Sequence, residues 1–181
     1  AELARTVAKK EGFMLEDGAA NLIALLGDGS FRDTQGILQK VLSSSTDKKI
    51  SLEEVARVTG APAQTLVHDY IRAIAEKNIE AGLSAVKKAG EQNIDARVFL
   101  KLVLHLFRLT LLVRVAPNMR NTFEGMYAAS DLSFIDTILG TKPTTITSAT
   151  LALLLEAYSQ TRHAPIAELP LEVALMRVMG E

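Results

Sequence analysis

The sequence predicts an all-α protein, and three observations carry that prediction. Apolar residues recur at helical spacing along almost the whole chain. Capping residues and glycine stops punctuate those runs at the intervals of ordinary helices. No segment sustains the apolar–polar alternation of a half-buried strand. The one β-flavoured stretch, TKPTTITSAT (Thr141–Thr150), is interrupted by Pro143.

The elements follow in order. Ala1–Glu11 is amphipathic and charged and lacks the apolar centre of a signal peptide. The run Leu15–Leu26 places Leu15, Ala19, Leu22, Ile23 and Leu26 on one helical face, with Gly27 as its stop. Ser30–Leu42 repeats the pattern through Phe31, Thr34, Ile37, Leu38 and Val41. SSSTDKK (Ser43–Lys49) is polar and aperiodic and is read as the linker between two domains, 1–46 and 47–181. Beyond it, Ser51 and Glu54 form a capping box, Ile50 and Val55 a hydrophobic staple, and Gly60 a helix end. Pro62 suits the first turn of a helix running to about Lys77, and Asn78 and Asn93 are read as caps of the next two.

The helix after Asn93 is apolar on nearly every side from Phe99 to Val115, broken mainly by Lys101, His105, Arg108 and Arg114. Such a helix is buried, in its own core or against partner chains. Phe99, Leu102, Leu106 and Leu109, with Leu151 and Leu155 further on, are therefore candidates for an oligomer interface as well as for the core. Pro117 and Asn118 break the chain, shorter helical stretches follow at Asn121–Ala129 and Leu132–Leu139, Thr147 opens a helix to about Thr161, and the last helix is Leu171–Met179.

Composition narrows the function. The 181 residues are 48% hydrophobic and 23% charged with a formal net charge of −1, which supports a packed core and argues against disorder. The same balance lacks the positive face of a dedicated nucleic-acid binder, and Lys87, Lys88 and Arg108–Arg114 are read as solvated or paired charges. There is no cysteine, so neither a disulfide nor a thiolate metal site can form. No apolar stretch reaches the roughly 18 residues of a membrane span. His68, His105 and His163 lack ligand partners at metal-site offsets, and neither a phosphate loop nor a nucleophile elbow occurs. The chain alone is expected not to be an enzyme.

One segment remains, GDGSFRDTQGILQK, with Arg32 just inside a helix start. Ser30 and Asp33 read as a cap and its acidic partner, and Arg32 can be a solvated first-turn residue. A cation in the first turn nevertheless opposes the helix dipole by a few tenths of a kcal/mol, a choice expected where a cation must meet an anion. The residues alone leave both readings open.

GDGSFRD before an amphipathic helix resembles the sensor-2 segment in the lid of AAA+ ATPases. More narrowly it resembles the Gly-Ser-Leu-Arg-Asp-Ala segment of the gamma/tau family of bacterial DNA polymerase III clamp-loader subunits. VAKKEGFMLEDGAANLIALLGDGS resembles that family's lid. ISLEEVARVTGAPAQTLVHDYIRAIAEKN, NIDARVFLKLVLHLFRLTLLVRVA and LPLEVALMRV resemble its collar. The resemblance implies a C-terminal piece of a subunit, with a small helical lid over 1–46 and a helical-bundle collar over 47–181. An ATPase domain is then expected before Ala1, in keeping with the missing initiator Met.

Carried over, Arg32 is the nucleotide-sensing arginine, Gly29 and Ser30 set the turn and Asp33 supports the helix start. The piece itself holds no cofactor; ATP and Mg²⁺ belong to the parent. The implied partners are other clamp-loader subunits through a collar ring, with the sliding clamp and primer-template DNA reached through the parent in the bacterial cytoplasm at the replisome, and no membrane. Thr34-Gln35-Gly36 and Gln39-Lys40 depart from the family's usual run. A delta- or delta-prime-like subunit without ATPase activity, or an unrelated helical interaction domain, are the alternatives.

Overall fold

The computed structural model describes residues 1–124 and 127–180. Its described residues form two units, each with its own core. The first comprises Ala1–Ala61 together with a returning segment, Phe123–Ala129. The second comprises Pro62–Thr122 and residues 130–180.

The first unit holds α1 (Glu2–Lys10), β1 (Met14–Leu15), α2 (Asp17–Leu26), α3 (Phe31–Ser44), β2 (Lys49–Ile50) and α4 (Leu52–Thr59). Alanine dominates the inner faces of α1 and α2: Ala4, Ala8, Ala19 and Ala20 are all buried, which lets the helices approach closely around Ile23, Leu38, Val41 and Val55. The expected helix start at Leu15 is corrected. Leu15 belongs to β1, which pairs in parallel with β2 in the register Met14↔Lys49 and Leu15↔Ile50. Met14 N–H donates to the Lys48 carbonyl at 2.7 Å and Glu16 N–H to that of Ile50 at 3.1 Å. The stretch that sequence reading treated as a free linker is thus held at both ends, Ser43 and Ser44 closing α3 and Lys48 and Lys49 joining the bridge.

Of the expected capping box the serine half forms, while the Glu54 carboxylate faces Arg57 at 4.0 Å. Ser51 Oγ accepts from Glu54 N–H at 3.2 Å, and Gly60 closes α4 at φ 71°, a left-handed conformation that glycine adopts without strain. The sequence reading placed the change of domain at 46/47. Here α4 packs against α2 and α3, so the first unit runs on to Ala61. Ala128 of the returning segment lies beside α2, 3.6 Å from where a Cβ on Gly18 would stand.

The second unit contains α5 (Gln64–Glu76), α6 (Ile79–Glu91), α7 (Ala96–Val115), a 3₁₀ stretch at Pro117–Phe123 whose last residue falls in the first unit, α8 (Ala129–Gly140, entering the unit at Ser130), α9 (Ser148–Gln160) and α10 (Leu169–Met179). The all-α prediction holds. α5 packs on α6 and α7, α9 on α7, and α10 on α6 and α9. Tyr70, Phe99, Leu100, Phe107, Leu109 and Ile135 are fully buried at its centre, with Tyr70 and Phe99 meeting edge to face at 5.7 Å. Tyr70 O–H donates to the Leu171 carbonyl at 2.9 Å, tying α5 to α10, and Gly82 on α6 leaves the room that Leu175 of α10 fills.

Three sequence expectations change in this unit, at Asn93, Pro62 and Asn121–Ala129. Asn93 is not a cap: it sits at φ 54° after α6, and Asp95 caps α7 by accepting from Val98 N–H at 2.9 Å. Pro62 lies two residues before α5 rather than in its first turn. As the interruption by Pro143 implies, Thr141–Thr147 carries no strand; it is a turn anchored by buried Ile146 and by Thr145 Oγ1, which donates to the Ile74 carbonyl at 2.7 Å. The expected helical stretch Asn121–Ala129 is 3₁₀ in its first part, and residues 125 and 126 lie outside the described residues.

Candidate functional site

Arg32 is the second residue of α3, and local chemistry places it there. Gly29 takes φ 77° and Asp28 φ 53°, so the turn out of α2 is left-handed at both positions. Ser30 then caps α3: its Oγ accepts from Asp33 N–H at 3.2 Å, while Thr34 Oγ1 donates to the Ser30 carbonyl at 2.8 Å. Gly27 is fixed by contact rather than by φ, because a Cβ there would fall 2.1 Å from Thr34 Oγ1. The turn is thus tightly built, and it projects the first turn of α3 outward.

Arg32 itself is exposed. Among the described residues no group forms a hydrogen bond or ion pair with its guanidinium, although the other arginines of the first unit, Arg5 and Arg57, both pair with carboxylates. Asp33 is occupied at the backbone by the cap and leaves its carboxylate unpaired with Arg32. Arg32, Asp33, Gln35, Gly36, Ile37 and Gln39 line a shallow surface depression along α3. A Cβ on Gly36 would meet nothing within 4 Å, so that face of the helix is open. An exposed guanidinium with no protein partner among the described residues, in the first turn of a helix, is suited to an oxyanion.

The six interface candidates separate. Phe99, Leu106 and Leu109 are buried inside the second unit, which corrects their reading as interface residues: α7 is apolar all round because α5 and α9 pack on it. Leu102 and Leu151 are half-buried. Leu155 is 53% exposed and has surface to offer. Sequence reading missed a second exposed set, Leu169, Val173 and Met176 on α10. Their i, i+4, i+7 spacing was present in LPLEVALMRV, but the helix carries apolar residues on two faces and periodicity alone does not say which one is covered.

Among the described residues no group of three or more His, Cys, Asp or Glu side chains is placed to hold a metal ion. His68 does have a carboxylate partner, Asp131 Oδ1 at 2.8 Å, which comes from α8 and was invisible to offsets along one helix. No helix of the described residues is long and apolar enough to cross a membrane.

Residues 50–181 match the family described as DNA polymerase III subunits gamma and tau domain III. The chain belongs to that family. Among curated relatives, the DNA polymerase III subunit tau of Bacillus subtilis is 25% identical over 118 residues, covering 65% of this chain and 21% of that protein. The gamma/tau subunit of Mycobacterium bovis is 26% identical over 112 residues, covering 62% of this chain and 19% of its own length. This gamma/tau domain III chain therefore spans about a fifth of the relatives it matches. Its fold is similar to that of the Bacillus subtilis DNA clamp loader delta protein, with a TM-score of 0.52 at 15% identity, over 99% of this chain and 55% of that one. Family membership removes the unrelated helical domain from the alternatives.

Proposed function

We propose that this chain is the lid and collar of a gamma/tau-type clamp-loader subunit. The first unit reports the nucleotide state of the parent and the second assembles subunits into a ring that places the sliding clamp on primer-template DNA. The observation that carries the reading is Arg32: a guanidinium without a partner among the described residues, at a capped helix start, in a chain whose other end belongs to the gamma/tau family.

Arg32 fits the terminal phosphate of ATP, because its donors are unspent and its charge does not titrate. Mg²⁺ binding and hydrolysis belong, in this reading, to the ATPase domain of the parent protein, and this chain contributes the arginine. In this reading Gly29 and Ser30 hold the turn, Asp33 N–H completes the cap, and α3 transmits the position of Arg32 to α4 through their packing. The ring contact uses Leu155 with Leu169, Val173 and Met176, the exposed apolar residues of α9 and α10. The assembly is cytoplasmic and works at the replisome.

Arg32→Ala in the full-length subunit, assembled with its partners, tests the sensor. Stability of the 181-residue chain is expected to stay within about 0.5 kcal/mol, as for a surface site. ATP-dependent clamp loading is expected to fall tenfold or more, the loss of at least about 1.4 kcal/mol of charge-assisted contact. Unimpaired loading with a lowered melting temperature would make Arg32 a structural residue. A gamma/tau parent is expected to bind ATP; calorimetry showing no ATP binding by the full-length protein would turn the reading to a delta-type subunit without ATPase activity.

A further inference from the structure

Aspartate precedes glycine twice in the chain, at Asp17–Gly18 and Asp28–Gly29, and no asparagine precedes a glycine. Such pairs have a chemistry of their own. Glycine has no Cβ to shield its nitrogen, so that nitrogen can attack the carboxyl carbon of the aspartate before it and close a five-membered imide. The structure treats the two pairs oppositely.

Asp17 and Gly18 are the first two residues of α2. The Asp17 carbonyl there faces along the helix as an acceptor of its ladder. The side of Gly18 is packed, since a Cβ would stand 3.3 Å from Leu52 Cδ2 and 3.6 Å from Ala128 Cβ. Ring closure turns the peptide plane between the two residues, which here breaks the first turn of α2 and lifts Gly18 from its neighbours. Asp28 and Gly29 lie outside any helix, and both are exposed. Asp28 N–H donates to the Leu25 carbonyl at 3.2 Å and Ser30 N–H to that of Gly27 at 2.8 Å, whereas the Gly29 N–H between them meets no acceptor among the described residues. A Cβ on Gly29 would have nothing within 4 Å. Asp28 stands at φ 53°, so its own backbone preference does not resist reopening of the turn.

We propose that Asp28–Gly29 is a site of spontaneous covalent modification, by closure to a succinimide and reopening to isoaspartate, and that the change unmakes the turn in front of α3. In the first step the Gly29 nitrogen bonds to Asp28 Cγ, and the carboxyl hydroxyl leaves with the amide proton as water. In the second, water adds to one of the two imide carbonyls. Opening at Cγ restores aspartate. Opening at the α-carbonyl leaves the main chain running through Cβ and Cγ, with the former backbone carbonyl as a free carboxylate. No oxidant or reductant is consumed, and the product has the mass of the parent. The main chain is then one carbon longer before Ser30, so the Ser30 N–H to Gly27 bond and the seat of Ser30 Oγ under Asp33 N–H lose their geometry. The inference holds whether or not Arg32 reads a nucleotide.

The 181-residue chain is incubated for several weeks in warm neutral buffer, folded and in urea. Trypsin releases Glu11–Arg32, one peptide that carries both pairs, and electron-transfer fragmentation tells isoaspartate from aspartate at each. In the folded chain, conversion at Asp28 is expected to exceed that at Asp17 by about tenfold or more, because α2 must open locally before its pair reacts. In urea the two are expected to convert at similar rates. Equal conversion at both sites of the folded chain overturns the proposal, as does none at Asp28 once the urea sample has converted. The isoaspartate fraction is then separated, and the Asp33 and Thr34 amides are expected to exchange about tenfold faster than in unaltered chain. Unchanged exchange overturns the claim that the turn is unmade. Asp28→Glu, whose side chain is too long for the five-membered ring, is expected to keep its own starting exchange rates through the same incubation. Loss of protection in that variant as well would assign the change to other chemistry and overturn the proposal.

Discussion

Two glycines lie inside helices of this chain in opposite surroundings, and the same substitution at both separates backbone from packing. At Gly36, on the open face of α3, an added Cβ meets nothing within 4 Å. At Gly82, on α6, it would stand 2.4 Å from Leu175 Cδ2 and 2.9 Å from Cδ1, against an ordinary carbon–carbon separation of about 3.5–4.0 Å. Leu175 is fully buried on α10, so its side chain has no free volume to swing into.

Glycine to alanine in a helix interior gains about 0.5–1 kcal/mol from the backbone alone. Gly36→Ala is therefore expected to stabilise the first unit by that amount, a rise of about 4–8 °C per kcal/mol for a unit of under a hundred residues. Gly82→Ala receives the same gain but must overpack the α6–α10 contact, which costs about 1–3 kcal/mol. The two variants should then differ by about 1–3 kcal/mol, with Gly82→Ala the less stable. Native-state hydrogen exchange, read separately on α3 amides and on α6 and α10 amides, measures each unit without assuming one cooperative transition. Equal stabilisation at both sites would refute the reasoning, because it would mean that Leu175 does not occupy the space above Gly82.

Tyr70→Phe leaves the buried Leu171 carbonyl without the 2.9 Å bond and should destabilise the second unit by about 1–2 kcal/mol in urea titration, without changing the denaturant slope. Burial, seconded by the charge of Arg108, lowers the His105 pKa below its ordinary value. The unfolded chain therefore takes up the proton first, and the contribution of His105 to stability, complete above about pH 6.5, is lost as the pH falls below it. Melting of the parent should accordingly fall more steeply between about pH 7.5 and 5.5 than melting of His105→Gln, which cannot titrate there. Ser51→Ala removes the cap of α4 and should cost about 1 kcal/mol, read as faster exchange of the Glu54 amide and its neighbours.

Local chemistry was legible in the sequence, and contacts between distant residues were not. The caps at Ser51, Ser30, Asn78 and Thr147 were legible because cap and partner lie three residues apart. Asn93 misled because asparagine serves equally as a helix cap and as a left-handed residue after a helix, and its sequence neighbourhood fits both. The β1–β2 bridge is two residues long on each side, too short for any alternation to show. For α7, periodicity established that every face is covered but could not tell α5 and α9 from a partner chain. The placement of Arg32 at a helix start was fully local and survives, whereas its open surroundings are a tertiary fact.

The first unit is discontinuous along the chain, and this sets an order of events during synthesis. When Ala61 leaves the ribosome, α1 to α4 are complete, but the segment that places Ala128 beside Gly18 is not yet made. All of α5, α6 and α7 must be translated first, at about 5–20 residues per second, so the flank of α2 waits for seconds with its apolar surface open. The inherited and the folding boundaries also part company here. The family match begins at residue 50, inside β2 and ahead of α4, so a polypeptide cut at that point would take α4 away from α2 and α3. Shuffling this region between relatives would therefore succeed at Ala61 only if Phe123–Ala129 travelled with the first unit.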